Sequence, residues 1–429
     1  MKKSLIKKVL VLLVLFSSLA TRAQTPSPPT AFNYEFTNGK WFDGLRFVAD
    51  HFYSVKGVLT RRKPAPVDRV FDLAGNYVVP PFGEAHNHNL DWSSDAQFDR
   101  VRKRYLEGGI FYVKNPNSLL RSREPTLSRI NIPTSVDGVL SNGGLTASGG
   151  HPIEIVSPRR GFNPGDGEGN FYYVVDTVAD LDSKWTIIKA GKPDFIKTYL
   201  IYSEEYTKRK DDKAFDGWKG LDPKVLIEIV RRAHHDGYRV STHVESATDF
   251  HNALLAGVDE INHTPGFRPD RNDFANYKNL TQYQIAEADA RLAANKHVTV
   301  VTTLGETIES TFAEKYDAAA RLAVRNMIIR NLQLLKQHGV AIAIGSDDFG
   351  RSSVPEALSL AKLKVFSNLE LLKMWCETTA TAIFPRRKIG QLKEGYEANF
   401  LVLRADPLQE FSNVTKIGLR IKQGVLLEL

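Results

Sequence analysis

The sequence predicts an α/β fold: a (β/α)8 TIM barrel with a small composite β-sandwich domain built from both termini. Three observations carry this expectation. From Val78 onward, short apolar runs alternate with amphipathic stretches, the pattern of parallel βα units. Eight such runs fall between Tyr77 and Ile344, a span that suits the ~250 residues of a closed barrel. The flanking segments 32–77 and 389–429 instead alternate in short strands broken by turn residues. An open doubly wound sheet would place Gly-x-Gly-x-x-Gly after its first strand, and that fingerprint is missing.

Taken in order, residues 1–23 read as a signal peptide. MKKSLIKK is a cationic start, VLVLLVLF an apolar core, and Thr21-Arg22-Ala23 a small-residue cleavage site before Gln24. The apolar core falls well short of the ~20 residues that span a bilayer. The expectation is therefore export to the periplasm or beyond, with no stable membrane span after cleavage. Residues 24–31 are a Pro- and Ser-rich linker, and 32–77 form the N-terminal part of the sandwich, with turns at Asn38-Gly39, Lys56-Gly57 and Ala74-Gly75-Asn76.

The barrel occupies 78–388. Its strands are expected at Tyr77–Phe82, Ile110–Val113, Val136–Leu140, Phe195–Tyr199, Tyr238–Thr242, Glu260–Asn262, Val298–Thr302 and Val340–Ile344. Helices are expected at Ala96–Glu107, Pro223–His235, Ala247–Leu255, Ile285–Ala294 and Ala318–Gln337, with Asp222 capping the helix that begins at Pro223. The Gly-rich run from Gly161 to Gly169 reads as an excursion after the third strand. Residues 389–429 then complete the sandwich.

Composition excludes several functions. With 42% hydrophobic and 25% charged residues, the chain can bury a sizeable core, so general disorder is excluded. The formal charge of +8 is misleading, because Lys2, Lys3, Lys7, Lys8 and Arg22 lie in the signal segment, which has no acidic residue. The remainder is close to balanced, with no basic block interleaved with aromatics, so a nucleic-acid partner is not expected. Cys376 is the single cysteine, sits in the apolar helical pattern LLKMWCETTA, and reads as core. A small-molecule partner is expected, and the sequence leaves an oligomer open.

In such a barrel, chemistry sits at the C-terminal ends of the strands. The first strand end supplies His86 and His88, which share one face of an extended backbone. The fourth supplies Lys197, the fifth His243, the sixth His263 and the eighth Asp347. A lone buried histidine is usually core. Five strand ends offering ligand-type side chains together point instead to metal binding. His234, His235, His251 and His338 lie on helices or before glycine and read as solvated faces or caps.

With His86-x-His88, Phe195-Ile196-Lys197, His243, His263 and Ser346-Asp347, the chain resembles the metal-dependent amidohydrolase superfamily, in particular its imidazolonepropionase and Xaa-Pro-dipeptidase-like group. The segment Ile389–Phe400 is similar to that family's return into its β module. Glu84 stands where Asp is usual two residues before the first histidine, and Asn399 where the tail usually carries Asp. The resemblance implies two divalent metal ions, zinc by default. His86, His88 and Asp347 would hold one and His243 and His263 the other. Lys197 would bridge them as a CO2-derived carbamate, since a protonated lysine beside two cations is repelled. It further implies a metal-bridging hydroxide as nucleophile and Asp347 as the catalytic general acid–base.

Substrate contacts are less legible. His151, after Ser148-Gly149-Gly150, is the candidate for a substrate carbonyl, and Tyr199 and Tyr202 for an oxyanion. Lys114, Arg121, Arg123 and Arg351 are candidates for pairing a substrate carboxylate. The function expected is an exported hydrolase that cleaves an amide (C–N) bond of a dipeptide or N-acyl amino acid. The alternatives are an ester, lactone or phosphotriester hydrolase on the same site, and a barrel that binds a ligand without turning it over. The Gly-x-Ser-x-Gly motif is missing, so the sequence offers no support for a serine hydrolase.

Overall fold

The computed structural model describes residues 32–91, 95–157, 159, 161–268 and 279–429. The expected signal peptide (1–23) and linker (24–31) lie outside the described residues. The chain opens in β1 (Tyr34–Phe42), β2 (Phe47–Val55), β3 (Val58–Thr60), β4 (Arg69–Asp72) and β5 (Tyr77–Val79). A register shift between Phe36 and Gly39 bends β1. Its first half then pairs with β4 and its second half with β5, both parallel.

Tyr77–Phe82 is expected as one strand, but Pro80 and Pro81 carry no N–H to donate to a ladder, so the chain divides there. Beyond them, β6 (Phe82–Glu84), β7 (Ile110–Asn115) and β8 (Asp137–Leu140) form a three-stranded parallel sheet. β9 (Gly144–Thr146), β10 (Tyr172–Val174), β11 (Ile196–Tyr199), β12 (Val240–His243), β13 (Glu260–Asn262), β14 (Thr299–Val301) and β15 (Ala341–Ala343) form a seven-stranded parallel sheet, ordered β10-β9-β11-β12-β13-β14-β15. β9 and β10 are too short, and too rich in turn residues around them, to stand out in the sequence.

The two parallel sheets approach at both edges. The Ala85 N–H donates to the Ile344 carbonyl at 2.9 Å, just past β6 and β15, and the Asp194 N–H donates to the Leu140 carbonyl at 2.8 Å, between β8 and β11. Helices pack behind the strands through apolar stripes. Pro223–His235 buries Val225, Leu226, Ile229, Val230 and Ala233, and Asp222 caps it by accepting from the Lys224 N–H at 2.8 Å. Each of the buried Val, Leu and Ile side chains contributes roughly 1.5–3 kcal/mol.

The C-terminal strands β16 (Phe400–Leu403), β17 (Ile417–Lys422) and β18 (Val425–Leu426) return to the first sheet, with β16 antiparallel to β5. The segments expected to form a sandwich thus make one hydrogen-bonded sheet of eight strands. The bulge is the reason: β1 pairs in turn with β4 and β5, which stitches the halves together. Phe36 and Phe400 meet edge-on at 4.8 Å over this core. Lys422, on β17, donates to Asp137 of β8 at 2.6 Å, and Arg387 donates to the other Asp137 oxygen at 2.7 Å. Both Lys422 and Asp137 are buried, so this ion cluster ties the terminal sheet to the parallel one. Cys376 is buried within the π-helical segment Met374–Thr378. No helix among the described residues is long and apolar enough to cross a membrane.

Candidate active site

The parallel strands end around one cavity of about 630 Å³. His86, His88, Lys197, His243, His263 and Asp347 all line it, as do His151 and Tyr199. One ligand atom each from His86, His263 and Asp347 lie within 4.8 Å of one another, and all three residues are buried. This compact triplet draws from both ligand sets that the resemblance implies. The His243 and His263 ring centroids are 4.4 Å apart, those of His86 and His263 4.7 Å, and those of His86 and His88 5.2 Å.

Backbone contacts bring the two distant strand ends together. The Asp347 N–H donates to the His86 carbonyl at 2.8 Å. Glu84 accepts from the Ser346 N–H at 2.8 Å, from the Ser346 hydroxyl at 2.7 Å and from the His86 N–H at 3.3 Å. Burial pushes the Glu84 carboxyl up to about 8, against the lowering effect of these donors. Gly345 is required by close approach. A Cβ there would lie 2.7 Å from the His86 nitrogen and 2.7 Å from Val301 Cγ1.

The donor set fits divalent cations. Burial holds the His86, His243 and His263 imidazoles well below their usual range, so each is neutral with a lone pair available. Among the described residues, His86 Nδ1 is buried with no hydrogen-bond partner. The Thr303 hydroxyl donates to the Thr302 carbonyl at 2.8 Å and therefore accepts from His263 Nδ1 at 2.7 Å. That leaves His263 Nε2 as the ligating nitrogen. The Phe267 ring stacks on His263 at 3.9 Å and fixes its plane. His243 is tied through Nε2 to Glu245 at 3.1 Å.

Lys197 is buried, and burial lowers its ammonium to about 7. Its Nζ donates to Asn262 Oδ1 at 2.5 Å. Asp347 carries His88 Nε2 at 3.2 Å from Oδ1 and Arg268 at 3.0 Å from Oδ2. Burial alone would raise its carboxyl, but the Arg268 guanidinium and the His88 bond hold it well below the usual carboxylate range. His151 donates through Nδ1 to Glu154 at 2.5 Å, so its Nε2 is the free nitrogen of the ring. Tyr199 packs its ring at 5.3 Å from His151. Gly144 permits this, because a Cβ there would lie 2.6 Å from Tyr199 Cε2.

Other candidates are placed differently. Tyr202 does not line the cavity, and its hydroxyl lies 3.3 Å from that of Tyr283. Lys114 points into the interior and pairs with Glu260 at 2.8 Å. Arg121 lines the cavity but is held by both oxygens of Asp166 at 2.6 and 2.8 Å. Arg123 pairs with Asp194 at 3.3 Å and Arg351 with Asp348 at 2.6 Å. Each of these four cations already has an acidic partner. Sequence reasoning missed Arg268, Glu245, Glu154 and Asn262. Arg268 follows His263 in one loop, and Glu245 lies two residues past His243, so proximity to a ligand was the available signal. His234 and His235 lie on a helix surface and pair with Asp259 and Asp236, as expected of solvated faces.

The amidohydrolase family model matches residues 197–411, which include Lys197, His243, His263 and Asp347. His86 and His88 lie outside that match and enter the site through the fold. No curated protein matches the sequence. Solved structures that share the fold include Aspergillus niger ochratoxinase, with a TM-score of 0.69 at 17% identity over 92% of this chain and 95% of that one. An Xaa-Pro dipeptidase with bound methionine gives 0.69 at 15% identity, over 92% of this chain and 100% of that one. Molinate hydrolase gives 0.67 at 14% identity, over 93% and 95%. The family match spans half the chain and takes in four of the six residues gathered at the cavity: the chain belongs to the amidohydrolase family.

Proposed function

We propose that this chain is an exported hydrolase that cleaves an amide bond in a small molecule, such as a dipeptide or an N-acyl amino acid. The observation that carries this reading is the convergence of the His86, His263 and Asp347 ligand atoms within 4.8 Å at the cavity. His86, His88 and Asp347 would hold one divalent cation, and His243 and His263 a second, with Lys197 between them as a carbamate. Zinc suits this imidazole and carboxylate set. When bound, the cations supply Lewis-acid polarisation of the scissile carbonyl and lower the pKa of a nucleophilic water. The two parallel sheets, which touch at both edges, are read as one closed barrel whose rim holds these residues. The Xaa-Pro dipeptidase among the structural neighbours favours a peptide-like substrate. Export rests on the pattern of residues 1–23.

The chain's own groups have separable roles in this mechanism. Asp347 takes a proton from the nucleophile and returns it to the leaving nitrogen, and Arg268, bonded to Oδ2, orients its carboxylate. Glu154 orients His151, which donates from Nε2 to the substrate carbonyl when the ring carries both protons. Burial keeps the Tyr199 phenol protonated, so it acts as a donor. The test is an assay of zinc-, manganese- or cobalt-loaded protein against dipeptide, N-acyl amino acid, lactone and phosphotriester panels. Amide turnover that vanishes in Asp347→Asn supports the reading. Turnover confined to lactones or phosphotriesters contradicts it.

A further inference from the structure

We infer that Asn262 is a positioning residue for Lys197: its side-chain oxygen accepts the one N–H that the carbamylated nitrogen retains. This rests on the carbamate reading above. The buried side chains around Lys197 fix the orientation of that amide. Lys197 Nζ donates to Asn262 Oδ1 at 2.5 Å, while Asn262 Nδ2 donates to Glu260 Oε1 at 2.8 Å. Lys114 Nζ also donates to Glu260 Oε1, at 2.8 Å, and Ser241 Oγ lies 2.9 Å from it and 2.7 Å from Asn262 Oδ1. Exchanging the amide oxygen and nitrogen would set two donors against each other at Lys197 and two acceptors against each other at Glu260. The Lys114–Glu260 pair therefore keeps an acceptor aimed at Lys197.

That acceptor matches the chemistry of carbamylation. The uncharged Lys197 nitrogen attacks carbon dioxide, a nitrogen–carbon bond forms, and one electron pair of a C=O moves onto oxygen. One proton leaves the nitrogen for water, giving Lys–NH–CO2⁻ with a single N–H. Resonance makes this group planar, as in a peptide bond, so the direction of the N–H fixes the direction of both oxygens. Anchoring the N–H on Asn262 thus selects one rotation of the carbamate. An unanchored carbamate is free to rotate, and it forms at higher carbon dioxide concentration.

The test is 13C NMR of the intact protein equilibrated with 13C-bicarbonate, with the carbamate signal assigned by its loss in Lys197→Ala. Asn262→Leu removes the acceptor. Asn262→Ser keeps a polar residue for the fold, but its short hydroxyl falls short of Nζ. Both variants, verified as folded by melting, are expected to need about tenfold more bicarbonate for half-maximal signal. An unchanged half-maximal concentration in either folded variant overturns the role of Asn262 and leaves the carbamate standing. No Lys197-dependent signal in the wild type overturns the carbamate itself, and this inference with it.

Discussion

The Asp347 N–H meets the His86 carbonyl at 2.8 Å, so the segments that follow β6 and β15, far apart in the chain, share one backbone contact. Between them sits Gly345, whose missing side chain makes room for the His86 backbone. Gly345→Ala is expected to push these strand ends apart, costing about 1–3 kcal/mol of stability through overpacking. Metal content, measured on the folded variant, should drop below that of the wild type. Full metal content would show that the contact does not set the site.

Asp347→Asn removes the proton acceptor while keeping its shape. The fold and most of the metal should survive, and kcat should fall by about 10²–10⁴. Steady-state kinetics on metal-loaded protein check this. Near-normal kcat would remove Asp347 from proton transfer.

The Arg268 guanidinium pairs with the Asp347 carboxylate at 3.0 Å. Arg268→Met leaves that buried carboxylate without its guanidinium, so the chelated protein should melt earlier than chelated wild type. Added cation replaces the lost positive charge. The rise in Tm on adding zinc should therefore be larger in the variant than in the wild type, as read by calorimetry.

Glu356 is buried, accepts from the Leu304 N–H at 2.9 Å and from the Gly305 N–H, and is pushed up by burial to about 7. Its folded-state pKa lies above the unfolded value near 4.5. The stability it contributes is thus fully present below about pH 4.5 and is lost as pH rises through about 7. Glu356→Gln cannot ionise. Urea unfolding of metal-free protein should show the wild-type-minus-variant difference shrinking by up to about 3 kcal/mol between pH 5 and pH 8. A difference independent of pH would mean that Glu356 does not take up a proton on folding.

Much of this arrangement is legible in the sequence because apolar strands bounded by caps and turns announce themselves. Pro223 after Asp222 marks a helix start to the residue, and His86-x-His88 marks a strand end. Tertiary pairing is less legible. Pro80-Pro81 hands one apolar run to two sheets, and the choice depends on which partner each half meets. Lys114 looks like a loop cation yet is buried against Glu260, because ion pairs between distant strands leave no local trace. The roles of Arg268 and Asn262 likewise exist only once Asp347 and Lys197 are beside them.

The most direct measurement is the metal content of the purified chain after loading and desalting, set against His86→Ala and His263→Ala. The account predicts about two divalent ions per wild-type chain and clear loss in each variant. A wild-type chain that retains less than about one ion, or a His263→Ala variant that keeps the full complement, contradicts it.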